Sequence, residues 1–60
     1  MEGAEDFFKV YSGVPIDERK MAVVVINKQP ISWNLAYQEI KNDTIRGNKI
    51  LKILKELRIV

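Results

Sequence analysis

Apolar positions along this chain change period twice, and the changes divide it into three parts. In "AEDFFKVY", residues 4–11, Ala4, Phe7, Phe8 and Tyr11 recur at helical spacing, and Glu5 and Asp6 stand in the first turn, where carboxylates suit the positive end of a helix dipole. The spacing predicts an N-terminal helix. Ser12-Gly13-Val14-Pro15 ends it: Pro15 has no N–H to continue the ladder, and Gly13 accepts a left-handed terminal conformation. "IDERK", residues 16–20, adds at most one further turn.

From Met21 the helical period disappears. Met21-Ala22-Val23-Val24-Val25-Ile26 is an unbroken apolar run rich in β-branched residues, which are stiff at χ1 and fit a pleated strand better than a helix. Asn27-Lys28 reads as a two-residue turn, because Asn tolerates positive φ, and Gln29-Pro30-Ile31 returns as a short second strand. A strand or hairpin is therefore expected at about 21–31, with Pro30 facing an edge since it donates no hydrogen bond. Continuous apolar character implies burial on both faces, and a 60-residue chain has little helix with which to cover both.

The helical period then returns. Ser32 is placed as an N-cap, and Trp33, Ala36, Tyr37 and Ile40 follow at i, i+3, i+4 and i+7, predicting a helix over about 33–41. Lys41-Asn42-Asp43 interrupts it, and Asp43 or Thr44 caps a second helix over about 44–58. There Ile50, Leu51, Ile53, Leu54 and Leu57 share a stripe with Gly47, while Asn48, Lys49, Lys52, Lys55 and Glu56 lie opposite. The expected fold is a small single α+β domain spanning 1–60: an N-terminal helix, a short strand or hairpin, and two C-terminal helices.

Charge adds a second pattern to the first. Ten Lys and Arg against eight Asp and Glu leave only +2, but the signs are segregated, and Arg46, Lys49, Lys52, Lys55 and Arg58 form a basic row on the last helix. These five residues are the candidates for nucleic-acid contact. Three lysines on three phosphates would give a log–log salt slope of only about −2.7, the mark of weak, non-specific binding, and a solvated face accounts for the same residues. Residues 35–60 have the outline of a helix–turn–helix. With Ala36 as its small residue, however, the turn glycine falls at Ile40 and an apolar position at Arg46, so the pattern is not met.

Composition removes most chemistry. The chain has no cysteine and no histidine, which closes the disulfide route and leaves no cofactor or metal motif. Ser12, Ser32 and Thr44 are scattered, and the pairs Glu5-Asp6 and Asp17-Glu18 splay apart as sequence neighbours, so neither an enzyme nor a small-molecule substrate is expected. No stretch approaches the ~18 apolar residues of a membrane span, and "MEGAED" is the opposite of a basic leader; a cytoplasmic protein without membrane contact is expected.

The remaining expectation is a non-catalytic protein–protein interaction module or accessory subunit. A small chain without disulfide or metal gains stability by joining a homo-oligomer, such as a homodimer, or a larger protein complex. The surfaces predicted for this are the apolar strand edge, Val23, Val24, Val25 and Ile26, and the C-terminal leucine and isoleucine stripe. Phe8 and Tyr37 join them: Phe7 and Phe8 diverge by about 100° on a helix, so one faces the core and the other a partner. Trp33 and Tyr37, one turn apart, read as core or as a stacking platform, with Tyr37 the one to show its polar end.

Overall fold

The structure, a computed structural model, describes residues 2–60. Helix α1 (Ala4–Ser12) leads through a tight 3-10 turn (Ile16–Lys20) into strands β1 (Ala22–Ile26) and β2 (Gln29–Ser32), then helices α2 (Trp33–Lys41) and α3 (Ile45–Glu56). This is a small α+β fold, in the order the hydrophobic periods predict.

The turns follow from local chemistry. Asn27 and Lys28 both adopt positive φ, 52° and 67°, the geometry of a type I′ turn whose twist matches that of the strands it joins. It sets Ile26 opposite Gln29, Val25 opposite Pro30 and Val24 opposite Ile31 in an antiparallel pair. Ala22 then faces Ser32, which leaves Val23 as an extra residue in a bulge. Because of that bulge the neighbours Val23 and Val24 both pack on the core, together with Ile26, whereas Val25 points to solvent. The two-sided burial expected of the apolar run is not what forms: no residue of β1 is fully buried.

The ends of α2 and α3 are built from side chains and from left-handed residues that are not glycine. Ser32 Oγ accepts the Leu35 N–H at 3.0 Å, and Thr44 Oγ1 accepts the Gly47 N–H at 2.8 Å, so Thr44 rather than Asp43 caps α3. Asp43 (φ 51°) closes α2: its N–H bonds the Ile40 carbonyl at 3.1 Å, and the next N–H, of Thr44, bonds the Glu39 carbonyl at 3.2 Å. Arg58 (φ 58°) closes α3 in the same way, with Arg58 N–H on Lys55 O at 3.1 Å and Ile59 N–H on Leu54 O at 2.9 Å. These are Schellman closures. The second one ends α3 at Glu56, short of the expected residue 58, and folds Ile59 and Val60 back against the core. Gly13, by contrast, stays right-handed at φ −86°, so α1 ends without the left-handed residue its sequence allows.

The core is Ala4 and Phe7 of α1, Ile31 of β2, Ala36 and Ile40 of α2, and Ile50, Leu51 and Leu54 of α3. Phe7 is completely covered, with the Tyr11 and Trp33 rings stacked at 6.0 and 6.1 Å. The accessible surface, 4304 Å², is close to the roughly 4,000 Å² expected of a compact chain this size. Most of the α3 stripe therefore lies inside: Ile53 is half-buried and only Leu57 is exposed. That corrects the expectation that the stripe is available to a partner.

Gly47 sits where α3 crosses α2, and a Cβ there would overlap the Glu39 carbonyl and come within 2.9 Å of the Ile40 nitrogen. Backbone cannot rotate away as a side chain can. Gly47→Ala should therefore lower unfolding free energy by about 2 kcal/mol or more in urea titration. Gly13→Ala, where a Cβ meets only the Val10 carbonyl at 3.5 Å, should raise it by about 0.5 kcal/mol.

Candidate functional site

The residues expected to form one interaction surface occupy two separate places. Val23, Val24, Val25 and Ile26 lie on β1, which pairs only with β2 in a two-stranded sheet. In a two-residue hairpin the closing pair Ile26–Gln29 exchanges hydrogen bonds, so the next pair, Val25–Pro30, does not. The Val25 N–H and carbonyl then point away from β2, and among the described residues none hydrogen-bonds to them. The Val25 side chain is 63% exposed and that of Met21, at the start of the strand, 65%. On the other edge, Pro30 has no N–H to offer, which blunts β2 against pairing.

Phe8 and Tyr37 belong to a different surface, formed by α1, the 3-10 turn and α2. Tyr11 and Tyr37 stack at 4.5 Å with 22° between their planes, and Phe8 meets the Tyr37 ring edge-on at 5.6 Å. The Arg19 guanidinium lies 4.3 Å from the Tyr11 ring centre, held there by Nε donating to Val14 O at 3.0 Å and Nη2 donating to Tyr11 O at 3.3 Å. Lys41 Nζ stands 5.7 Å from the centre of the Tyr37 ring. Together with Ser12 these residues line an open hollow of about 460 Å³. A second hollow of about 540 Å³ continues across Tyr11, Tyr37 and Lys41 to the amides of Asn34, Gln38 and Asn42. Trp33 takes no part, being stacked on Phe7.

Tyr11, Arg19 and Lys41 were not among the residues the sequence singled out for this surface. Tyr11 and Tyr37 come from helices separated by the whole hairpin, and Arg19 reaches them from an isolated turn, so no local spacing announces the cluster.

The basic row of α3 is divided. Lys55 Nζ bonds Asp6 Oδ2 at 3.1 Å and lies over the start of α1, so it does not point outward with the others. Arg58 falls past the helix in the left-handed closing position. Arg46 and Lys49 turn toward the hairpin, where with Ile26, Asn27, Gln29, Ile31 and Ile45 they line a hollow of about 410 Å³. Lys52 remains exposed on the outer face, one turn before Glu56 and two turns after Ile45, which is itself 92% exposed. A continuous strip of five cations does not form.

Among the described residues no three acidic side chains gather as a metal site would require, and no helix is long and apolar enough to cross a membrane.

The Lys55–Asp6 pair is well exposed, at 38% and 60%, and water screens it, so Asp6→Asn should cost less than about 1 kcal/mol and the loss should shrink further in high salt. Lys52→Glu should leave the thermal midpoint nearly unchanged, since the side chain is exposed and enters no ion pair among the described residues; calorimetry on both variants checks the assignment. Compared with known protein families, curated proteins and solved structures, the chain has no match.

Proposed function

We propose that this chain is a non-catalytic association module that pairs with a second copy through the outer edge of β1. The observation that carries the reading is the open edge at Val25, with an unpaired backbone N–H and carbonyl beside an exposed valine. Strands left at an edge are ordinarily protected by charge or proline, and β1 carries neither between Ala22 and Ile26. Its bulge at Val23 twists only the start of the strand and leaves Val24–Ile26 regular.

A two-fold axis at Val25 satisfies both groups at once. The Val25 N–H of each copy donates to the Val25 carbonyl of the other, extending two hairpins into a four-stranded antiparallel sheet. The two Val25 side chains then stand opposite each other on the same face, about 5.5 Å apart at Cα, and shield one another from water. Met21 adds apolar surface near the end of the contact. Because the core closes within one chain, pairing is a property added to a folded monomer, and it follows concentration.

Sedimentation over a concentration series should show a monomer–dimer equilibrium for the natural chain. Val25→Lys places two like charges at the axis and should yield monomer at all concentrations, while unfolding free energy changes by no more than about 0.5 kcal/mol because the side chain is exposed. A natural chain that sediments only as monomer, or a variant that still dimerises, would contradict the reading.

A further inference from the structure

The hollow between α1, the 3-10 turn and α2 combines three kinds of group in one place. Tyr11 and Tyr37 give stacked aromatic rings, and the Arg19 guanidinium is fixed over one of them by two hydrogen bonds to backbone carbonyls. Arg19 and Lys41 give positive charge, and among the described residues no carboxylate lines either this hollow or its continuation. Asn34, Gln38 and Asn42 give side-chain amides along the exposed face of α2. Tyr11 Oη donates to Asn34 Oδ1 at 2.9 Å, so that amide keeps its NH₂ for an outside acceptor.

We infer that this surface binds single-stranded nucleic acid, with a base against the Arg19–Tyr11–Tyr37 cluster, phosphates at Arg19 and Lys41, and the amides of α2 facing a neighbouring base edge. An unpaired strand brings all three complements together: a planar ring, one negative charge per nucleotide, and an edge that both donates and accepts hydrogen bonds. Acidic peptide matches the charge but supplies no planar ring at a fixed spacing. Duplex keeps its bases paired and stacked on one another, with no free ring face to lay against the tyrosines.

Fixing Arg19 matters to recognition. A guanidinium already held over a ring loses little freedom when a base packs against it, whereas a free side chain would have to be ordered on binding. The hollow shares no residue with β1, so this inference is independent of strand pairing. It also places nucleic-acid contact away from α3, whose row of cations is divided.

The test is fluorescence anisotropy with the full chain and labelled oligo(dT) and oligo(rU) of about ten nucleotides, within the span of one small single-strand site. A duplex of the same length and a labelled acidic peptide serve as competing ligands. Binding of the single strands should weaken with salt at a log–log slope of about −1.4, as expected for two phosphates. Lys41→Gln, at an exposed position that leaves the fold intact, should weaken binding and reduce the slope by about 0.7. Arg19→Lys keeps the charge but loses the planar group, and should still cost about fivefold or more in affinity. The double substitution Lys49→Gln, Lys52→Gln should change affinity by less than about twofold. Absence of single-strand binding at low salt, duplex bound as tightly as single strand, the acidic peptide bound in place of the oligonucleotides, or an equal loss from the α3 double variant would each overturn the inference.

Discussion

The close crossing of α2 and α3 is the constraint on which the other contacts depend. Thr44 serves both helices within one residue: its N–H closes α2 on the Glu39 carbonyl, and its hydroxyl caps α3 at Gly47. Gly47 then lets the α3 backbone rest against Glu39 and Ile40 with no side chain between. With no slack at this corner, the direction of α3 is set before any distant contact is considered. Ile50, Leu51 and Leu54 are thereby turned into the core they share with Ile40, Ile31 and Phe7.

Closure of that core governs what remains outside. Phe7 is the contribution α1 makes to the centre, and its neighbours on the helix, Phe8 and Tyr11, are carried to the rim, where they meet Tyr37. One aromatic residue thus anchors the helix while the next ones build a surface. β1 is farther from the centre. β2 supplies the buried Ile31, and β1 is held mainly by its partner strand, so its apolar side chains are half-covered at most and its outer edge stays open. The proposed strand pairing and the proposed single-strand site therefore arise from one cause: a small core, eight side chains among the described residues, leaves apolar and aromatic residues at its margin.

Much of the fold was legible in the chain because the signals are local. Helical spacing of Phe7 and Tyr11, β-branching from Val23 to Ile26, the Asn27-Lys28 turn and the Ser32 cap act within a few residues, and each produced the element expected of it. The features that depart from these local signals share an origin as well. Burial of the apolar run on both faces, the availability of the leucine stripe and the unity of the basic row are statements about which faces meet, and spacing along one element does not contain them. Arg58 illustrates the same limit at a helix end: an arginine carries no left-handed preference, and it adopts φ 58° because Ile59 must return to Leu54 and the core.

The order and kind of the elements, the Ser32 cap, the hairpin turn and the lack of thiol and imidazole groups can be read from the chain alone, since these depend on residue type and near neighbours. Packing in three dimensions exposes Val25 and not Val24, selects Thr44 over Asp43 as the α3 cap, leans Lys55 on Asp6, and gathers Tyr11, Arg19, Tyr37 and Lys41 at one hollow. A bulge of one residue, a backbone crossing at a glycine and a side chain spanning two helices settle those matters. Each joins parts of the chain that no local period relates.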